Sequence, residues 1–152
     1  MVYLREVDEE TVEQCAGLRC TQEQCQFANS PVWTLLQAAY CDIRGKCRVF
    51  AIKDECTVVG MIRLDFSVFP DCYMFTNLLI DQKYQRKHYA TEAVKAALDI
   101  FKKDGRHSIV RIHVAKENCA AIGLYEKTGF RRQPEEETED FYTYSINIMI
   151  CR

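Results

Sequence analysis

The 152-residue chain has no run of about 20 apolar residues, so no helix capable of crossing a bilayer is expected. Its opening, MVYLREVDEE, carries acidic residues where a secretory leader would have a basic flank and an apolar stretch. We read it as a soluble, cytoplasmic protein. Six glycines and three prolines are too few for a collagen-like or low-complexity chain, and no Pro-, Gly- or Ser-rich linker divides the sequence. One domain over residues 1–152 is therefore expected. An excess of basic charge is also missing: 20 Lys and Arg face 22 Asp and Glu for a net charge of -2, which argues against a surface that captures nucleic acid by neutralising phosphates. The nine cysteines never form a C-x-x-C pair, and the even spacing of Cys15, Cys20 and Cys25 suits neither a zinc knuckle nor one helix face. No metal site is expected. Most cysteines are expected to be small buried residues of a reducing compartment, with a catalytic cysteine the minority reading.

What the chain does contain is an ordinary globular balance, 48% hydrophobic and 28% charged, arranged as alternating elements. Val2 to Val7 alternates as a strand, and Asp8 can cap a helix begun by Glu9 and Glu10. Thr11 to Tyr40 is helical, broken at Asn29, Ser30 and Pro31, where Ser30 and Pro31 suit the start of a second helix. Val49–Lys53 and Thr57–Phe66 predict a hairpin, Pro70 and Asp71 a turn, and Tyr73–Ile80 another strand. Tyr89–Lys103 places Ala90, Ala93, Val94, Ala97, Leu98 and Phe101 at helical spacing, ended by Gly105. Ser108–Val114 predicts a strand, Asn118 caps a helix through Thr128 with Gly129 after it, and Phe141–Ile150 is the last strand. The acidic run Glu135, Glu136, Glu137, Glu139 and Asp140 suits a solvated turn between the final strands.

Two segments carry chemistry. In LLIDQKYQRKHYATEA, Leu78 to Ala93, a strand passes through a basic turn straight into an amphipathic helix. No Ser, Thr, Asp or Asn stands immediately before that helix, so its first backbone N–H groups need water or a ligand. Lys83, Arg86, Lys87 and His88 surround this end, and the helix dipole adds positive charge, a combination that favours phosphate or pyrophosphate. A solvated basic turn fits the spacing equally well. In NCAAIGLYEKTGF, Asn118 to Phe130, one helix face holds Ala121, Leu124, Tyr125 and Thr128. The Tyr125 hydroxyl, with an ordinary pKa of ~10, can give a proton to a departing anion at neutral pH. Taken alone, a structural tyrosine is the simpler reading.

Gln85-Arg86-Lys87-His88-Tyr89-Ala90 is similar to a Q/R-x-x-G-x-G/A pyrophosphate loop. Asn118, with Leu124-Tyr125-Glu126-Lys127 and Gly129-Phe130, is similar to an N...LYEK.GF helix. Together these segments resemble the GNAT superfamily of N-acetyltransferases, and the succession of elements agrees over nearly the whole chain. The resemblance implies an α/β (α+β) fold: a central mixed, mostly antiparallel sheet flanked by helices and splayed between the fourth and fifth strands, near Ile80 and Val110–Val114. Acetyl-CoA would wedge into that opening. By the same resemblance, backbone of Leu78, Leu79 and Ile80 would pair with the pantetheine arm, and N–H groups of Gln85, Arg86, Lys87, His88, Tyr89 and Ala90 would hold the pyrophosphate. Asn118 would lie on the pantetheine side and Lys127 near the adenosine phosphates. Tyr125 would protonate the leaving thiolate after direct attack by an amine, while an N–H of the splayed strand polarises the thioester carbonyl. Homodimers are common in the resembled family.

Two positions depart from the pattern. His88 stands where the first loop glycine belongs, so its imidazole either adds a phosphate contact or its Cβ weakens CoA binding. Asn77, just before Leu78, replaces a frequent carboxylate, so the amine must lose its proton elsewhere. Gln14-Cys15, Leu18, Glu23-Gln24, Phe27, Leu35 and Gln37-Ala38, with Tyr84-Gln85, resemble the bacterial spermine/spermidine acetyltransferases. A polyamine pocket needs carboxylates, for which Glu23 and Asp65 are the expected substrate-binding residues, assisted by the run from Glu135 to Asp140. Each is also readable as a solvated surface carboxylate. His113 alternates with Ile112 and Val114, which suits either a base or a structural histidine. Trp33, Tyr40, Phe66 and Tyr73 suit an apolar passage for methylene chains, with simple core the commoner reading of aromatics at such positions. The expected activity is acetyl transfer from acetyl-CoA to a small cationic amine, a polyamine first, with an aminoglycoside, amino acid or protein N-terminus as other acceptors. A CoA-binding relative without turnover is the non-catalytic alternative.

Overall fold

The computed structural model describes residues 1–148. Its strands form one seven-stranded sheet in the order β1-β2-β3-β4-β5-β7-β6. These are β1 (Val2–Glu6), β2 (Cys47–Asp54), β3 (Thr57–Asp65), β4 (Tyr73–Ile80), β5 (Ile109–Ala115), β6 (Arg131–Arg132) and β7 (Phe141–Asn147). All neighbours are antiparallel except β4 and β5, which run parallel. The expected mixed sheet is therefore present, and Met149 and Ile150 of the predicted last strand lie outside the described residues.

Helices cover both faces. The long helix α4 (Tyr89–Asp104) buries Ala93, Val94, Ala97, Leu98 and Phe101, the stripe its periodicity predicts, against Phe50, Ile62, Leu64, Phe75, Val110 and Ile112 of the sheet. On the opposite face, Cys15 and Leu18, at and just beyond α1 (Val12–Ala16), pack against Val49, Ala51, Met61 and Leu79, with Leu35 and Ala38 of α3 (Pro31–Tyr40) alongside. The N-terminal helical region is more broken than its pattern suggests. Asp8 accepts from the N–H groups of Glu10 and Thr11, but it closes a turn, and the helix starts only at Val12. Gly17 ends that helix, and a separate short helix α2 (Gln22–Cys25) starts at Thr21, whose hydroxyl accepts from Gln24 N–H. Between them, Asp81 accepts from the Arg19 N–H at 3.0 Å, so a carboxylate from the far end of β4 holds the non-helical backbone in place.

Several predicted burials are reversed. Of the eight described cysteines, all free, only Cys15, Cys47 and Cys72 are buried, while Cys25, Cys56 and Cys119 are exposed, because their turn and helix-end positions face outward. Trp33 and Tyr40 on α3 are exposed, whereas Phe66 and Tyr73 are core. Within the acidic run, Glu137 is mostly buried and pairs with Arg132 and Lys116. Gly60 is required by close packing: a Cβ there would collide with the Leu79 carbonyl.

The parallel contact of β4 and β5 is anchored by Tyr73, which is fully buried and stacked on Phe101 at 4.3 Å. Its hydroxyl donates to Asp104 at 2.6 Å and accepts from the N–H of Arg106 at 2.7 Å. The Arg106 guanidinium, followed by the Tyr73 hydroxyl, holds the Asp104 carboxyl down at about 2. Because the folded value lies below the unfolded one of 3.8, this contribution is complete above pH ~4 and is lost as pH falls toward ~2. Tyr73→Phe leaves two backbone donors and a carboxylate short of a partner. Urea unfolding at pH 7 should show a loss of about 1–3 kcal/mol, and the variant should lose less further stability than wild type between pH 4 and 2. An unchanged midpoint would reject this anchor.

Candidate active site

β4 and β5 pair only at Tyr73 with Val110 and Met74 with Arg111. Beyond those two pairs the strands part, and a cleft of about 470 Å³ opens between them. The cause of the parting is visible in β4. Met61 of β3 faces Leu79, but Arg63 faces Thr76, so β4 carries one more residue than β3 over this stretch. Asn77, at φ +54°, takes the left-handed conformation at that bulge. A bulge bends and twists its strand, and Asn adopts this conformation more readily than most side chains. Asn77 Oδ1 also accepts from Asn29 N–H at 3.3 Å. The residue read as a missing carboxylate thus serves a backbone role. The bent segment has no strand partner on its β5 side, and Leu78, Leu79 and Ile80 line the cleft.

The loop into α4 runs between two residues that line the cleft, Ile80 and Ala90. Asp81 caps a short 3-10 turn over Gln82–Tyr84 by accepting from Lys83 N–H at 2.9 Å. Arg86 and His88 both take φ +63°, whereas Lys87 between them does not, an alternation that turns successive N–H groups toward one side. His88 precedes α4 without capping it. Among the described residues, no N–H from Gln85 to His88 donates to a backbone carbonyl, and those of Tyr89 and Ala90 open the helix, where intrahelical partners do not exist. The left-handed position therefore exists and a histidine occupies it, at a cost of about 1–2 kcal/mol relative to glycine. Two side chains of this loop are turned to structural tasks. Gln85 Nε2 donates to Gln24 Oε1 at 2.6 Å and to the Ile80 carbonyl at 3.1 Å, and the Tyr89 hydroxyl donates to Asp54 at 2.7 Å.

The far wall is α5 (Cys119–Lys127). Asn118 lines the cleft and accepts from Ala121 N–H at 3.3 Å, capping the helix. Tyr125 also lines the cleft, its ring held between Phe75 and Phe130, each at 5.8 Å. Burial pushes its hydroxyl up to about 12, so it remains a proton donor throughout the physiological range. His113 of β5 faces the same cleft, and its Nδ1 lies 3.0 Å from Thr143 Oγ1. Burial, followed by the neighbouring Arg111, lowers its pKa.

The structure gathers Leu78, Leu79, Ile80, Ala90, Asn118, Tyr125 and His113 around one cleft, while Gln85, Arg86, Lys87, His88 and Tyr89 of the intervening loop are not among its lining residues. Lys127 lies outside, exposed on the last turn of α5. Glu23 is exposed beside the lining residue Gln24. Asp65 is 1% exposed and paired with Arg63 through bonds of 2.9 and 3.1 Å, away from the cleft. Its burial raises its pKa, against the lowering effect of Arg63. Gln26, Phe27, Thr76 and Phe141 also line the cleft. They come from three separate parts of the chain; Phe27 belongs to the stretch that resembles the polyamine acetyltransferases, and no local pattern marks the other three.

A family profile described as the acetyltransferase (GNAT) family matches residues 12–130. No curated protein sequence matches the chain. Among solved structures, the spermidine N-acetyltransferase of Vibrio cholerae, in complex with CoA and spermine, superposes with a TM-score of 0.75 at 20% identity, covering 97% of this chain and 95% of that one. A ribosomal L7/L12 alpha-N-protein acetyltransferase in complex with CoA gives 0.76 at 15% identity, covering 99% and 96%. The ribosomal-protein-S18-alanine N-acetyltransferase of Escherichia coli gives 0.73 at 18%, covering 100% and 97%. At these identities the structural likenesses establish the fold. The profile match, which spans well over half of the chain and both segments that build the cleft, establishes that this chain belongs to the GNAT acetyltransferase family.

Proposed function

We propose that this protein transfers the acetyl group of acetyl-CoA directly to a primary amine of a small cationic acceptor, a polyamine first. The observation that carries the reading is the shared cleft: a strand edge, an uncapped helix start and a protonated tyrosine all border one opening. The unpartnered edge at Leu78, Leu79 and Ile80 suits an amide-bearing pantetheine arm, which can pair with it as an added strand. The N–H groups from Gln85 to Ala90, with Lys87 and Arg86 nearby, suit a pyrophosphate. When bound, acetyl-CoA supplies the thioester. Tyr125 then gives its hydroxyl proton to the departing sulfur, and Asn118 supports the pantetheine side of the cleft.

The acceptor is argued from charge. Glu117 and Asp140, both exposed, are next in sequence to the lining residues Asn118 and Phe141, with exposed Glu139 beside Asp140, and acidic groups at a cleft border draw in cations. Among the described residues, the cleft lining itself contains no carboxylate. That arrangement suits an acceptor whose reacting amine is neutral when it attacks while its other ammonium groups stay at the rim, with Glu23 as a further contact. An uncharged lining also favours a second reading, in which the acceptor is a protein N-terminus with no further ammonium group to satisfy.

Thiol release from acetyl-CoA should be fastest per unit concentration with spermine or spermidine, measured beside putrescine, aminoglycosides and N-terminal peptides. Turnover with peptides alone would select the second reading. Tyr125→Phe should leave CoA affinity by calorimetry unchanged and lower kcat by about 100-fold or more, and an unaltered kcat would remove Tyr125 from proton transfer. His88→Gly should raise stability to urea by about 0.5–1 kcal/mol by relieving the left-handed strain. The same change should weaken CoA binding by about 3- to 10-fold through loss of an imidazole contact. Tighter binding would instead identify the His88 Cβ as an obstruction.

A further inference from the structure

The cleft has a donor for the leaving group, and a bound ammonium must also lose a proton before it can attack. Among the described residues, His113 is the one ionisable nitrogen in the lining. Its protonation state follows from its neighbours. Thr143 lies directly across from it on β7, is 1% exposed, and has a single hydroxyl proton. That hydroxyl is 3.0 Å from the Glu136 carbonyl oxygen and 3.0 Å from His113 Nδ1. A carbonyl can only accept, so the Thr143 proton goes to Glu136, and the Thr143 oxygen must then accept from His113. The ring proton therefore sits on Nδ1, and the Nε2 lone pair is left for the cleft. Had Nδ1 been unprotonated, two acceptors would compete for one proton.

The charged groups near the ring are Arg111 on its own strand, which opposes a second ring proton, and Glu136 from the turn before β7, which favours one; with burial, the balance lowers the pKa. Across the cleft, Gln24, Gln26, Thr76 and Asn77 carry no charge, and Tyr125 stays neutral. The ring is thus neutral at physiological pH and able to accept a proton.

Building on the transferase reading above, we infer that His113 is the general base for the acceptor amine and that Thr143 is the positioning residue that fixes its tautomer. His113 Nε2 takes one proton from the ammonium and passes it to solvent. The amine nitrogen uses the freed lone pair to form the new C–N bond as the C–S bond breaks, its electron pair leaving on sulfur. Tyr125 protonates that sulfur, and its phenolate recovers the proton shed by the new amide nitrogen. Ammonium and thioester become amide, thiol and one released proton.

Two measurements test this. Nitrogen-15 spectra of the imidazole in the wild-type protein should show the Nδ1–H tautomer for His113, replaced by a mixture in Thr143→Val and restored in Thr143→Ser. In thiol-release assays, wild-type kcat/KM for the amine should fall as pH drops through the His113 pKa. His113→Gln should lack that limb, lose about 100-fold at pH 7, and regain much of the loss near pH 10, where the ammonium loses its proton unaided. Thr143→Val should lower kcat about 10-fold with CoA affinity unchanged, and Thr143→Ser should recover it. An Nε2–H tautomer, or an acid limb that persists in His113→Gln, would overturn the base while leaving the transferase intact. A wild-type protein that releases thiol with no amine would overturn both.

Discussion

The site depends on β4 abandoning β5 after two residue pairs. Tyr73, stacked on Phe101 and bonded to the end of α4, locks the start of the parallel contact. A few residues later the extra residue beside Asn77 bends β4 away. Between anchor and bulge the sheet is forced open, and the backbone beyond it loses half of its pairing. Unmade backbone hydrogen bonds in a partly apolar cleft are costly unless water or a ligand completes them, and an extended, amide-rich ligand does so by joining the sheet. The cleft is therefore a consequence of strand geometry, and the side chains that border it refine what the backbone has already set.

The polar groups around the opening connect its walls. Asp81 accepts from Arg19 and Lys83 N–H groups, which ties the α1–α2 turn to the start of the loop before α4. Gln85 reaches from that loop to Gln24 on α2 while holding the Ile80 carbonyl. The loop before α4 and the helical wall opposite β5 are thus joined by direct hydrogen bonds. On the other side, His113, Thr143 and the Glu136 carbonyl form a chain that runs into the acidic turn. Each wall carries groups that face the cleft and groups that hold those in place.

The elements that a local pattern governs were legible. The α4 stripe, the β4 boundaries, the Asn118 cap and the absence of any cap before α4 all appear as read, because each depends on residues within a turn or two of one another. The uncapped turn before α4 and the helix that carries Tyr125 into the cleft were legible through the same short segments. The readings that failed concern long-range partners. Asp65 looked available for a cationic ligand, yet Arg63 claims it within the sheet. Glu137 looked solvated, yet Arg132 and Lys116 enclose it. Cysteine as a residue type suggested burial, yet Cys25, Cys56 and Cys119 lie on outward-facing turns and helix ends.

By itself the sequence determined the order of strands and helices, the buried face of α4, the two cofactor-type segments and the family to which they point. Periodicity, capping and turn chemistry act over a few residues, so a linear reading captures them. Only the tertiary structure decided that Asn77 sits at a bulge, that Gln24 and Phe27 share a cleft with Tyr125, and that Thr143 lies within hydrogen-bond reach of His113. Those outcomes depend on register between strands distant in the chain and on which donor finds which acceptor first, and neither is written in local spacing.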